Sequence, residues 1–281
     1  TGYSIARFLA SQSIHFAITD TREVPPFIQE FRENFPDAAV FLGGFNATAF
    51  EAATHLVVSP GVALDHPLIV QAEARGVPVM GDLDLFAAVV DVPVLAVTGA
   101  NGKSTVTAMC GAMCEAAGRN TVVAGNIGLP VLDVLTQIDD AVRAMPDTFV
   151  LELSSFQLET ITSLKPAAAA MLNLSEDHLD RYDSYADYGK AKARIFDGGG
   201  VQVLLRGAGG RGVVGGGGPQ RLGEAGDRAR ARGVADADRE RCGGPLEPPV
   251  VVGAARAGRL PRALGASRDA RLIPTRRTAM R

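Results

Sequence analysis

Along residues 2–12 the apolar side chains Ile5, Phe8 and Leu9 recur at helical spacing on one face, and the short run Phe16-Ala17-Ile18-Thr19 that follows has the composition of a strand. The alternation continues. His55 to Ser59 predicts a second strand, Pro67 to Gly76 a helix that starts on proline, and Val77 to Gly81 another strand. After a break at Asp91-Val92-Pro93, the pattern predicts strand 94–98, helix 104–117, strand 121–124, helix 130–136, strand 148–153, helix 155–163, strand 169–174 and helix 184–196. Val201-Gln202-Val203-Leu204 reads as one more strand. Strands alternating with helices predict an α/β protein with parallel sheets and ligands at the carboxyl ends of the strands. The expected units are residues 1–91, residues 92–204 and a third segment, 205–281, of different character. No internal repeat is evident.

Charge separates that third segment from the rest. The chain of 281 residues has a net charge of −3, yet residues 1–204 carry −12 and residues 205–281 carry +9. All sixteen cations of the tail are arginine; it has no Lys, Asn, His, Phe, Tyr or Trp and holds half of the 32 glycines, with runs such as Gly215-Gly216-Gly217-Gly218-Pro219. A segment so poor in apolar side chains cannot bury enough surface to offset the entropy of ordering it. Three accounts of the tail stand side by side. An Arg/Gly-rich nucleic-acid arm suits the charge but lacks the aromatics that stack on bases. A folded accessory domain needs periodic apolar positions, and only Pro248 to Val252 hints at a strand. Arginine without lysine, among Gly, Ala and Pro, is also what an out-of-frame translation of GC-rich DNA produces, and composition favours this third account, with the frame lost near residue 205.

In the rest of the chain, no stretch reaches the roughly 18 consecutive apolar residues of a membrane span and no signal-peptide pattern is present, so a cytoplasmic protein without membrane or nucleic-acid partners is expected. Three cysteines make no disulfide framework, and Cys110 and Cys114, one helical turn apart, are expected to be small packed side chains rather than metal ligands. His15, His55 and His66 are expected to be packed or solvated.

The densest chemical signal is Val97-Thr98-Gly99-Ala100-Asn101-Gly102-Lys103-Ser104-Thr105, a Gly-rich turn between strand and helix. Glycines let backbone N–H groups curl inward, the helix N-terminus adds positive potential, Lys103 reaches terminal phosphates, and Ser104 or Thr105 supplies a hydroxyl for Mg²⁺. The match to the P-loop pattern is partial, and ordinary capping with Ser as cap and Gly as hinge explains the same residues. Glu152, between Leu151 and Leu153 at the end of an apolar strand, is a carboxylate that needs a partner; a divalent cation and a structural hydrogen bond both supply one.

Several pieces in order carry a family resemblance: Thr19-Asp20-Thr21-Arg22, Val58-Ser59-Pro60-Gly61-Val62, the phosphate turn, Gly125-Asn126-Ile127-Gly128-Leu129-Pro130, Leu151-Glu152-Leu153-Ser154-Ser155-Phe156-Gln157-Leu158-Glu159, Leu172 to Tyr182, and Lys190-Ala191-Lys192-Ala193-Arg194-Ile195. Together they resemble the Mur ligases of peptidoglycan synthesis, and among them the D-glutamate-adding branch. The resemblance covers residues 1 to about 204. It implies a Rossmann-like domain that binds a UDP-sugar, without its first strand, followed by part of a P-loop-type ATP domain.

What the resemblance implies for function is ATP-dependent amide formation. The carboxylate of UDP-N-acetylmuramoyl-L-alanine is activated as an acyl phosphate and attacked by the amine of D-glutamate, with Mg²⁺ as cofactor and a monomer as the working unit. By resemblance Asp20, Thr21 and Arg22 recognise uracil, Ser59, Gly61, Asn126 and Gln157 contact the UDP-sugar, and Gly99, Asn101, Gly102, Lys103, Ser104 and Thr105 hold the phosphates. Ser104, Glu152, His178 and Lys192 become metal ligands, the last as a carbamate formed with CO₂, and Lys103, His178 and Lys192 carry the chemistry. Turn chemistry alone also accounts for Asp20 to Arg22 and Ser59 to Gly61. The parts that grip adenine and D-glutamate are not recognisable after residue 204, so this chain by itself is expected to be inactive. A non-catalytic nucleotide or UDP-sugar binder, or another Mur-type or folylpolyglutamate ligase, stays open beside the D-glutamate ligase.

Overall fold

The computed structural model describes residues 1–175, 181–204 and 250–254. The first unit runs α1 (Gly2–Ser11), β1 (Phe16–Asp20), α2 (Ile28–Asn34), β2 (Ala39–Leu42), α3 (Ala47–Ala52), β3 (His55–Val58), α4 (Pro67–Ala74) and β4 (Val79–Met80). Helix α5 (Asp82–Ala87) leads to the second unit: β5 (Val94–Thr98), α6 (Lys103–Ala116), β6 (Thr121–Gly125), α7 (Val131–Asp139), β7 (Thr148–Glu152), α8 (Ser155–Thr160), β8 (Ala168–Met171), α9 (Tyr185–Ala193) with a 3₁₀ turn at Arg194–Phe196, and β9 (Val201–Leu204). A last strand, β10, is Val250–Ala254.

The second sheet has the order β6-β7-β5-β8-β9, with every pairing parallel. In the first the order is β2-β1-β10-β3-β4, and β10 runs antiparallel to both β1 and β3 in an otherwise parallel sheet. That central strand overlaps the Pro248–Val252 stretch. The rest of 205–281, and with it the expectation of a disordered tail, lies outside the described residues.

Helix α1 buries Ile5, Phe8 and Leu9, the face expected from its periodicity. The sequence reading lacks α2, β2, α3 and α5; of these, α2 and α3 form where aromatic packing and a cap decide. Phe31 and Phe35 lie 5.0 Å apart and Phe35 is 5.6 Å from Phe16, so α2 is held by rings contributed from neighbouring elements. Asn46 caps α3 by accepting from the Ala49 N–H at 2.9 Å. Helix α8 is shorter than the expected 155–163, and its end has a tertiary cause: the N–H groups of Thr162 and Ser163 are committed to the Asp84 carboxylate at 2.9 and 3.1 Å.

One core joins the two units. Phe86 of α5 meets Phe149 of β7 edge-on at 4.9 Å, both fully buried, each ring contributing about 2–3 kcal/mol of transfer free energy. On the other side α1 packs along α7, with Arg7 and Asp133 paired at 3.5 Å and Gln12 donating to Asp139 at 2.9 Å. No helix among the described residues is long and apolar enough to cross a membrane.

Candidate functional site

Two candidate sites stand out, one in each unit. The first is a cavity of about 400 Å³ at the carboxyl ends of the first sheet, lined by the opening turn of α1, the end of β1, the loop after β3 and, from the second unit, Pro130 and Asp133. The start of α1 has no side-chain cap, so its first N–H groups are free for an anion, with Arg7 one turn further on. Ser4 and Ser59 also line the cavity, and their hydroxyls are buried without a hydrogen-bond partner among the described residues. A buried orphan hydroxyl costs about 1–3 kcal/mol, which a polar ligand relieves. Asp20 is fully buried and grips Arg22 through three bonds: the Arg22 N–H at 2.9 Å, Nε at 3.0 Å and Nη2 at 2.7 Å. Thr21, between them, is exposed.

The second site is the turn after β5. Gly102 takes φ +79°, a left-handed conformation that favours glycine, and starts α6, again without a side-chain cap. Lys103 folds back so that Nζ donates to the Ala100 carbonyl at 3.0 Å, while Asn101, Ser104 and Thr105 are exposed. Lys192 comes to the same turn from α9: it is buried, and its Nζ donates to the Gly99 carbonyl at 2.9 Å and stands 4.8 Å from the Tyr188 ring centre. Two ammonium groups thus rest on consecutive carbonyls. Lys190, two residues earlier, is exposed and pairs with Asp187 at 2.8 Å.

Glu152 is the buried anion here. Strand β7 sets it beside Val97 of β5 and Gly125 of β6, and Asn126 Nδ2 donates to Oε1 at 3.0 Å. The other oxygen, Oε2, is buried without a partner among the described residues. Gly125 makes the approach possible: its φ is +107°, and a Cβ there would collide with the Glu152 carbonyl. Hard oxygen donors, namely the orphaned Glu152 oxygen and the Ser104 and Thr105 hydroxyls at the head of α6, suit Mg²⁺. Among the described residues no three His, Cys, Asp or Glu side chains come together, and His178 lies outside the described residues.

Gln157 is engaged locally: its Oε1 accepts from the Ser154 N–H at 3.1 Å and its own backbone N–H donates to Ser154 Oγ, a capping box that starts α8. Cys110 and Cys114 are both free thiols and half-buried on α6, and burial pushes the Cys110 thiol up. Three participants were not singled out in the sequence. Asn173, after β8, accepts from the N–H groups of Ala100 and Asn101 at 3.0 and 2.8 Å and returns a bond to the Asn101 carbonyl at 2.9 Å, so one carboxamide fixes the phosphate turn. Asp84 and Arg181 tie the two units together, as set out below. Each acts on residues more than seventy positions away, a relation no local pattern contains.

Residues 1–81 match the model of the Mur ligase MurD-like N-terminal domain, and residues 97–205 that of the Mur ligase middle domain. Over 73% of its length the chain is 52% identical to the UDP-N-acetylmuramoylalanine--D-glutamate ligase of Thiobacillus denitrificans and 53% identical to that of Methylobacillus flagellatus. It spans 47% and 44% of those two proteins, a little under half their length. Among solved structures, UDP-N-acetylmuramate:L-alanyl-gamma-D-glutamyl-meso-diaminopimelate ligase from Neisseria meningitides aligns over 68% of this chain and 64% of its own, at 20% identity and a TM-score of 0.43.

Proposed function

We propose, from the premise that this chain belongs to the Mur ligase family and carries its MurD-like N-terminal and middle domains, that it is the UDP-sugar-binding and phosphate-binding part of an ATP-dependent ligase that joins D-glutamate to UDP-N-acetylmuramoyl-L-alanine. The observation that carries this reading is the convergence on one turn of Lys103, buried Lys192 and the strand bearing the half-satisfied Glu152. A reaction between a carboxylate and the γ-phosphate of ATP brings anions together, so most of the catalytic work is charge neutralisation and alignment.

The cavity of the first unit takes the UDP moiety, its diphosphate on the open start of α1 beside Arg7, and the hydroxyls of Ser4 and Ser59 gain acceptors there. Asp20 holds Arg22 in place to cover the base, and Thr21 offers its exposed polar groups. The phosphates of ATP lie on the turn from Gly99 to Thr105. For that to happen Lys103 exchanges the Ala100 carbonyl for a phosphate oxygen. Mg²⁺ would be held by Ser104, Glu152, His178 and Lys192 as its carbamate, and when bound it supplies Lewis-acid stabilisation of the phosphoryl oxygens. Asn126 keeps the Glu152 carboxylate oriented for that role. Conversion of the Lys192 amine to a carbamate removes a cation from a crowded pair of ammonium groups and adds an anionic oxygen donor.

The test uses a full-length ligase containing these two domains. Lys103→Ala is expected to lower D-glutamate-dependent phosphate release by about 10²–10³-fold and to leave UDP-N-acetylmuramoyl-L-alanine binding intact. Near-normal turnover would refute the assignment.

A further inference from the structure

Arg181 sits in the second unit, but its guanidinium reaches the first. Nη1 donates to the Gly61 carbonyl at 2.8 Å and Nη2 to the Val62 carbonyl at 2.8 Å. The same Nη2 pairs with Glu159 Oε2 of α8 at 2.7 Å, and the plane lies 4.8 Å from the Phe156 ring centre. Both charged side chains are mostly buried, at 19% and 17% exposure. A planar fork with five donors meets four acceptor oxygens at once, two consecutive carbonyls and both oxygens of Glu159, one more than the three donors of an ammonium.

Those two carbonyls belong to the loop that follows β3 and carries Ser59, whose orphaned hydroxyl lines the cavity of the first unit. Within the loop the Val62 N–H donates to the Ser59 carbonyl at 3.1 Å, and the chain turns at Gly61 with φ +95°. Among the described residues the Arg181 fork supplies the side-chain donors to its Gly61 and Val62 carbonyls. Removal of the guanidinium leaves two part-buried carbonyls without their donors and an unpaired Glu159, so the loop relaxes toward water. Phe156, under the guanidinium, also stacks on Tyr182 at 6.3 Å, and Tyr182 packs on Tyr188 at 5.4 Å, the ring against which Lys192 rests. The contacts are therefore continuous from the cavity loop to the phosphate turn.

We propose that Arg181 is a positioning residue that holds the Ser59–Val62 loop in its ligand-ready shape from the opposite domain. The proposal rests on the reading of the cavity as the UDP site. It predicts that Arg181 governs affinity for the UDP moiety without itself touching the ligand.

The test compares the 281-residue chain with Arg181→Gln and Arg181→Lys by two measurements. Amide exchange at Gly61 and Val62, with no ligand present, is expected to rise at least about tenfold in Arg181→Gln while the amides of β5, β7 and β8 keep their protection. Calorimetric titration with UDP is expected to show about tenfold weaker binding in Arg181→Gln and a partial recovery in Arg181→Lys, which keeps the charge and some of the donors. If the unsubstituted chain does not bind UDP, the cavity reading falls, and the exchange measurement alone decides on Arg181. Unchanged exchange at Gly61 and Val62 overturns the proposal, as does equal UDP affinity in all three chains. Loss of protection throughout the second sheet also overturns it, since Arg181 would then be holding up the domain rather than one loop.

Discussion

Asp84 offers the sharpest test of how the two units are joined. Its carboxylate is buried, at 1% exposure, and Oδ1 accepts four hydrogen bonds: from the Thr162 N–H at 2.9 Å, Thr162 Oγ1 at 3.0 Å, the Ser163 N–H at 3.1 Å and Ser163 Oγ at 2.9 Å. Oδ2 takes a fifth from the Gly81 N–H at 3.2 Å. In Asp84→Ala the two hydroxyls can rotate toward other acceptors, but three backbone N–H groups lose theirs, that of Gly81 buried and those of Thr162 and Ser163 part-buried. At about 1–2 kcal/mol for each, the low side of the usual range because water reaches two of them, the loss is roughly 3–6 kcal/mol. Asp84→Asn keeps an oxygen for the 162–163 turn but sacrifices the charge and sets an amide N–H₂ against the Gly81 N–H, for a loss of about 1–3 kcal/mol. The chain has no tryptophan, so far-UV circular dichroism in urea is the assay. With a slope near 2 kcal/mol per molar urea, Asp84→Ala should lower the midpoint by about 1.5–3 M. Because Asp84 links α5 to the end of α8, a single unfolding transition should also split in two. A midpoint within about 0.3 M of the parent, with one transition retained, would show that the turn finds its bonds elsewhere and that Asp84 is no clasp.

Asp82, two residues earlier, is pushed up to about 6 by burial, with a smaller contribution in the same direction from Asp84. A raised carboxylate pKa means the folded state holds its proton more tightly, so this group adds stability below the ordinary value of 3.8 that is lost as pH rises to about 6. Asp82→Asn should remove that slope and raise stability at pH 7, by at most about 3 kcal/mol, measured as urea midpoints between pH 4 and 7; parallel profiles would refute it. Gly125→Ala should force β6 away from β7 and disturb the Asn126–Glu152 bond, which the full-length ligase would report as a weaker response to Mg²⁺, with the apparent requirement rising about tenfold. Unaltered Mg²⁺ dependence would show that the close approach at Gly125 has no bearing on Glu152.

Much of the second sheet was legible in the sequence because its strands are short apolar runs, and two of its helices, α8 and α9, begin at the serine caps Ser154 and Ser184. The phosphate turn was visible because strand, glycines and helix start are local features, and the nine residues from Val97 to Thr105 convey them. Elements α2 and α3 were not. Helix α2 begins at Phe27 in a left-handed conformation, φ +64°, without a capping side chain, so the signals that mark a helix start are missing and ring packing supplies the stability instead. Burial of Lys192 was equally invisible to periodicity, since a lysine on a polar helix ordinarily faces water; only the family resemblance singled it out. Asn173, Asp84 and Arg181 act entirely through tertiary geometry. Most of their partners are backbone groups, which every residue carries, and all three bridge segments far apart in the chain, so no local pattern states what each one holds.

The position of β10 sets the order in which the molecule can be completed. Strands β1 and β3 do not touch; each pairs with β10, in registers that join Phe16 to Ala254 and His55 to Ala254. A growing chain has all five strands of the second sheet by Leu204, but the strand that closes the first sheet emerges later, after roughly 2–9 s more of synthesis at 5–20 residues per second. During that interval β1 and β3 present facing, unpaired edges, the kind of surface on which other chains add strands. The first sheet is thus closed only after the second is complete, and its exposure to mispairing in that interval is set by translation speed rather than by the stability of the finished fold.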